Sequence, residues 1–172
     1  MALSDPLSSI LYLYHFTDAS NLQTIREMGS LFSSAMLRRR GIKDFRPGGN
    51  QWSLNADAKS GMDRYVHLCF IDRHPMVHVA KQEGRLERVV YLRVDPGVLR
   101  LDGVRYSAGV SNKTGIEVCD MRDAKIDLEV LYERMNWSDP GVYARRRAAE
   151  KCEILVPDHV PMKYLEKYFP HG

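Results

Sequence analysis

The chain opens on alternation with period two. Over residues 10–16, Tyr12, Tyr14 and Phe16 fall on one face and Leu11, Leu13 and His15 on the other, which predicts a strand. Asp18 is placed to cap a helix in which Leu22, Ile25 and Met28 recur at helical spacing, and Gly29 is placed to close it. From residue 30 to residue 63 the periodicity dissolves. Arg38, Arg39 and Arg40 extend a short helix at most, and Pro47-Gly48-Gly49-Asn50 is turn chemistry. So long an irregular stretch in a compact domain is expected to be a functional loop.

Residues 65–70 read as the next strand, and Pro75 opens a helix that runs through Gln82. RVVYLRV (88–94) is a strong strand that Pro96-Gly97 turns, with weaker strands expected around 104–106 and 116–118. A helix over about 123–136 would carry Leu128, Leu131 and Met135 on one face. Asp139-Pro140 starts another, which ends in Arg145, Arg146 and Arg147. A final short helix is expected over 164–169.

Residues 152–156 then set Cys152, Ile154 and Val156 on one face of a strand and Glu153 and Leu155 on the other. A carboxylate inside an apolar strand needs a reason, because burying an unpaired charge is expensive. Two readings stand. The strand lies at a sheet edge with one wet face, the commoner circumstance, or it holds Glu153 rigidly to bind and polarise a sugar.

Length and composition narrow the class. At 172 residues the chain is expected to form a single domain over 1–172, and its 44% hydrophobic and 27% charged residues are those of an ordered globular chain. No apolar run is long enough to span a membrane, and the N-terminal stretch does not read as a signal peptide. Three scattered cysteines, Cys69, Cys119 and Cys152, fit a reducing compartment, so a cytoplasmic location is expected. His74 and His78 share a zinc-compatible spacing but lack a third ligand at a recognisable interval, and no metal site is expected. The net charge of +3 is concentrated at residues 38–46 and 145–147. Phe32, Phe45 and Trp52 lie near the first cluster, as a groove that stacks single-stranded bases requires.

No dinucleotide-binding or triphosphate-binding glycine loop is present. Three stretches together nevertheless form a pattern. Tyr14-His15-Phe16-Thr17, with Asn21-Leu22 and Gly29, resembles the opening His-x-Thr motif of the DarT family, DNA ADP-ribosyltransferase toxins. Tyr65-Val66-His67-Leu68-Cys69-Phe70 and Arg73-His74-Pro75-Met76 resemble that family's Tyr-Val-Pro-Phe-Tyr-Phe strand and Arg-Ser-Pro-Met segment. Trp137-Ser138-Asp139, Arg146-Arg147 and Cys152-Glu153-Ile154-Leu155-Val156 resemble its Trp-x-Asp and Ala-Glu-Phe-Leu-Val ending. The order of motifs is kept over nearly the whole chain. Two departures stand out: His67 replaces the proline and Cys69 the second tyrosine, removing an aromatic surface expected near the nicotinamide.

The resemblance implies an α+β architecture, the ADP-ribosyltransferase fold, with a split antiparallel β core and peripheral helices. It implies NAD as co-substrate, single-stranded DNA as acceptor with RNA as the alternative, and a macrodomain-type antitoxin as partner. Glu153 would be catalytic, supporting positive charge on the sugar and taking a proton from the attacking base. His15, Phe16, Thr17, Leu31 and Met76 would bind the cofactor. Arg46 is favoured as the catalytic arginine over Arg64 and Lys59; these two, with Arg145 and Arg147, would contact the nucleic acid. RNA 2′-phosphotransfer on the same fold, modification of a protein side chain, and a non-catalytic nucleic-acid-binding module remain as alternatives.

Overall fold

The computed structural model describes residues 6–165. Strand β1 spans Leu13–Asp18, later than the alternation suggested. The reason is local: Ile10 closes a 3-10 turn over Pro6–Ser9, and Leu11 is 72% exposed. The ladder with β4 (Val89–Val94) then runs unbroken from Leu13↔Val94 to Asp18↔Val89. Asp18 caps the turn after β1 and also binds the N–H groups of Glu87 and Arg88, so one carboxylate ties the end of β1 to the start of β4. Burial works against its charge, but these hydrogen bonds outweigh it and hold its pKa down to about 2. Helix α1 (Leu22–Met28) ends at Gly29, whose φ of 64° is the left-handed conformation the sequence anticipated.

The stretch 30–63 is more ordered than its pattern indicated. It holds strand β2 (Ser30–Phe32), helix α2 (Ser34–Arg39) capped by Ser33, and helix α3 (Gln51–Ser60) capped by Asn50. The inner side of α3 borders a cavity and carries Ser53 and Asp57 beside Leu54, which is why no apolar stripe marks it. Only residues 40–50 between the two helices are without regular structure.

Strand β3 (Tyr65–Cys69) and helix α4 (Pro75–Gln82) fall where expected, and His74 caps α4 by accepting the Met76 N–H. Strands β5 (Arg105–Ser107) and β6 (Val118–Asp120) follow. The helix expected over 123–136 is confined to α5, Leu128–Tyr132. Asp127 caps its start, and Arg146 takes the carbonyls of Val130 and Leu131 at 2.7 and 2.9 Å, so its last turn is satisfied from outside. Helix α6 (Pro140–Ala149) is capped by Asp139 as predicted. After β7 (Glu153–Pro157) and β8 (His159–Pro161), Met162–Tyr164 form one 3-10 turn. The rest of the helix expected at 164–169 lies outside the described residues.

Six strands form one sheet in the order β4-β1-β3-β7-β5-β6, every neighbour antiparallel, and β2 pairs with β8 apart from it. Strand β7 is interior, paired with β3 and β5, and Ile154, Leu155 and Val156 are at most 1% exposed. The edge-strand account of Glu153 therefore fails. The sheet also has a seam. β1 and β4 share six paired positions and β3 and β7 share five, but β1 and β3 meet only at Tyr14↔Cys69. Beyond that point the two halves diverge, and the split antiparallel core is present.

Candidate active site

A cavity of about 600 Å³ occupies the opening beside that seam, a volume suited to a cofactor-sized ligand. Strand β1 contributes His15, Phe16 and Thr17, β2 contributes Leu31, and the start of α4 contributes Met76. Tyr65, Val66 and His67 come from β3, Glu153 from β7, and Ser111 and Asn112 from the β5–β6 connection. All five residues expected to bind cofactor and both expected catalytic residues, Glu153 and Arg46, thus line one cavity.

Glu153 heads β7 opposite Cys69 and Ser107, with its side chain 12% exposed. Its Oε2 accepts the Ser111 N–H at 2.9 Å and lies 3.4 Å from Nδ1 of His67. The other ring nitrogen, Nε2, is 3.0 Å from the Met62 carbonyl, which can only accept, so that nitrogen carries a proton. Burial works against a charge on His67. The charge and hydrogen bond of Glu153, with Asp57 adding to them, outweigh it and hold the imidazole at a pKa of about 9. Burial likewise works against ionisation of Glu153, but His67 and then Ser111 hold the carboxylate below its ordinary value. The two form an imidazolium–carboxylate pair whose acid is fixed on an interior strand. The residue that departs from the family's proline has become the counter-ion of the central carboxylate.

Across the seam the second histidine is neutral. His15 donates from Nδ1 to the carbonyl of His67 at 3.0 Å, leaving Nε2 as an acceptor, and burial pushes its pKa down to about 4. Thr17 is fixed by Asn21, whose amide donates to its Oγ1 at 2.9 Å. The same amide donates to the Arg46 carbonyl and its oxygen accepts the Arg46 N–H, each at 2.9 Å, pinning residue 46 over β1. Arg85 bonds the Gly48 carbonyl, and a Cβ on Gly48 would come within 2.9 Å of the Phe16 ring. The loop thus lies closely on Phe16, which also stacks on His74 at 5.9 Å. The Arg46 guanidinium pairs with the exposed Glu87 at 2.9 Å.

The remaining expected residues lie elsewhere. Arg64 sits over the Tyr65 ring and bonds its hydroxyl at 3.0 Å, outside the cavity lining. Lys59 is exposed on α3, next to the lining residue Ala58. Neither Arg145 nor Arg147 lines the cavity. Arg145 is held by Asp127 and Glu129, and Arg147 by Glu150. Phe32, expected as a stacking platform, borders the cavity from the small sheet but is only 7% exposed, with Arg40 over its ring. Phe45 does line the cavity. The side chain of Trp52 lies outside the described residues. Sequence reasoning missed Asp57 and Ser111 altogether. The helical spacing of Ser53, Leu54, Asp57 and Ala58 was the available signal for Asp57, obscured by reading 30–63 as a loop.

The sequence matches the family described as "ssDNA thymidine ADP-ribosyltransferase, DarT" over residues 14–169. No curated protein matches it. Among solved structures, Thermus sp. 2.9 DarT in complex with ADP-ribosylated ssDNA superposes with a TM-score of 0.69 at 18% identity, covering 96% of this chain and 83% of that one. The same Thermus protein in complex with NAD+ gives 0.63 at 20% identity, covering 91% and 79%. Thermosipho africanus DarTG in complex with ADP-ribose gives 0.70 at 20% identity over 90% of this chain but only 42% of that longer one. These structures share the fold described above. The chain belongs to the DarT family, whose members are ADP-ribosyltransferases acting on thymidine in single-stranded DNA.

Proposed function

We propose that the cavity binds NAD across the seam of the sheet and that Glu153 directs transfer of its ADP-ribose to thymidine in single-stranded DNA. One observation carries this reading: Glu153 is an ionised carboxylate on a rigid interior strand, in the same cavity as His15 and Thr17. Breaking the bond between nicotinamide and ribose builds positive charge on the sugar, as in glycoside hydrolysis. A fixed carboxylate stabilises that charge without reorganising as it grows. Neutral His15, with Nε2 as acceptor, and the Thr17 hydroxyl orient the adenosine-side ribose, while Leu31, Phe16 and Met76 supply apolar contact. Arg46 exchanges an exposed ion pair with Glu87, of little net value, for the pyrophosphate.

The strand is proposed to approach along α2 and the segment after α3. Arg38 there reaches Asp63, Arg39 and Arg40 are exposed, and Lys59 and Arg64 flank them. Arg145 and Arg147 remain secondary contacts, because acidic neighbours already answer their charges. The role is that of a toxin restrained in the cytoplasm by a macrodomain-type partner that removes the modification. The Thermosipho DarTG likeness supports this partner, and three free cysteines support the compartment. Among the described residues no helix is long and apolar enough to cross a membrane.

The test is mass analysis after incubation with NAD and single strands with and without thymidine. A gain of one ADP-ribose only on the thymidine strand is expected; transfer to RNA or to protein instead would replace this reading. Binding should weaken steeply with salt. Charge reversal at Arg39 and Arg40 should reduce it more than reversal at Arg145 and Arg147.

A further inference from the structure

His74 lines the cavity with Phe16, Met76 and Glu153, and no contact proposed above employs it. It is only 5% exposed and is fixed from three sides. Its backbone N–H donates to the Tyr91 hydroxyl at 3.1 Å, its ring stacks on Phe16 at 5.9 Å, and its Nδ1 accepts the Met76 N–H at 3.3 Å. A ring nitrogen that accepts carries no proton, so the proton is on Nε2 and that atom is a donor. Burial lowers the pKa of the ring, with Glu153 and Glu150 opposing, which keeps it neutral at neutral pH. Among the described residues Nε2 has no hydrogen-bond partner, yet it is not sealed as Asp57 Oδ1, Arg85 Nη2 and Arg105 Nε are, and it keeps surface that a ligand can reach. A donor held this firmly, nearly buried and unmet at a cavity wall, is explained when the ligand brings the acceptor.

Position selects the acceptor. Cys69 is the strand partner of Glu153, and five residues later the chain has reached His74, so the imidazole stands at the carboxylate's end of the cavity. The bond to be broken, from ribose C1 to the nicotinamide nitrogen, belongs at that end, with Glu153 at the sugar and the nicotinamide next to it. The ring nitrogen of nicotinamide is taken up by this bond, so the carboxamide is its one hydrogen-bonding group. In NAD the ring is also a pyridinium cation, and a neutral donor beside it adds no repulsion where a lysine or arginine would. Phe16 and Met76 offer the apolar and polarisable surface that a flat ring needs.

We propose that His74 donates its Nε2 proton in a hydrogen bond to the carboxamide oxygen of the nicotinamide and so orients the leaving group. This rests on the function proposed above. His74 binds and orients; no proton passes through it, and the nicotinamide departs with the electron pair of the broken bond.

His74→Ser and His74→Phe, made in the full chain, test the contact. Serine is a strong N-cap and keeps the start of α4, phenylalanine keeps a ring against Phe16, and both lack the Nε2 donor. The probes are NAD and ADP-ribose, which differ by the nicotinamide, with affinities measured by titration calorimetry. Both variants should bind NAD about tenfold more weakly, as expected when a nearly buried hydrogen bond goes unmade, and should bind ADP-ribose as wild type does. Free nicotinamide should also inhibit their transfer to thymidine strands about tenfold less well. Unchanged NAD affinity in either variant overturns the proposal, because the lost ring or the lost cap would then account for any effect of the other. Equal weakening for NAD and ADP-ribose overturns it too, by placing the contact on a part that both carry. Weaker binding of single strands with NAD affinity intact would give Nε2 to a base carbonyl instead and overturns it likewise. A wild-type chain that binds neither NAD nor ADP-ribose overturns the function proposed above and this contact with it.

Discussion

His15 and His67 face each other across the seam, joined by a hydrogen bond from the ring of one to the backbone of the other. Both line the same cavity, partly open to it and otherwise enclosed by protein. Their ionisation is nevertheless opposite: about 4 for His15 and about 9 for His67. Burial disfavours the charge in both cases, and only His67 has a carboxylate at hydrogen-bond range to outweigh it. On the β1 side the cavity wall is neutral and on the β3–β7 side it is ionic, and the proposed function has the first orient and the second react. Splitting the sheet allows these two environments to lie side by side on one framework.

The largest effect should come from removing the carboxylate that separates them. Glu153→Gln keeps the shape of the site and should lower transfer by about 10²–10³, as expected for one preorganised electrostatic contact. NAD should still stabilise the variant, and Glu150→Gln should remain active. In the same variant His67, followed by NMR titration, should fall from about 9 to below its ordinary value and so behave like His15. A His67 still titrating near 9 would show that another group sets its charge.

Next is the reverse change. His67→Leu leaves Glu153 without its counter-ion, so the carboxylate should rise and transfer should become acid-sensitive. The rate-against-pH profile should shift its acid limb upward, with transfer near neutrality down by about tenfold. An unshifted limb with a uniformly lower rate would mean that His67 only packs.

A smaller effect is expected on the neutral side. His15→Ala removes an orienting contact worth about 1 kcal/mol, so NAD affinity should weaken several-fold while the exposed His78→Ala has no effect. Equal effects of the two would place His15 in the core rather than the site.

The smallest is the pH dependence of stability, where the two histidines act in opposite directions. His67 has a raised folded pKa, so its contribution is complete below about pH 6.5 and is lost as pH rises toward 9. His15 has a depressed one, so its contribution is complete above about pH 6.5 and is lost as pH falls toward 4. The melting temperature should therefore peak between these windows. His67→Leu should flatten the alkaline slope alone and His15→Ala the acid slope alone.

Much of this molecule is decided by short-range chemistry that a sequence displays. The caps at Asp18, His74 with Pro75, and Asp139 with Pro140 each act within four residues, as does the left-handed stop at Gly29. The β-branched, apolar runs of β4 and β7 are strands for the same reason. The ordered motifs around His15, Met76 and Glu153 likewise located the family and the part of the cavity wall that β1, β3, β7 and the start of α4 supply. What periodicity could not show is α3, because a helix whose inner side faces a cavity has no apolar stripe to betray it. Nor could it show that β7 is interior, since that depends on pairing with strands 45 to 90 positions earlier in the chain, about the spacing from β7 back to β5 and β3. The ionisation of the site was hidden most completely. Asp57, His67, Ser111 and Glu153 come from four separate elements, and the ionisation of each acid and of the imidazole depends on neighbours within this set. In sequence His67 is only a departure from a proline; folding places it 3.4 Å from Glu153, and that proximity makes it a cation.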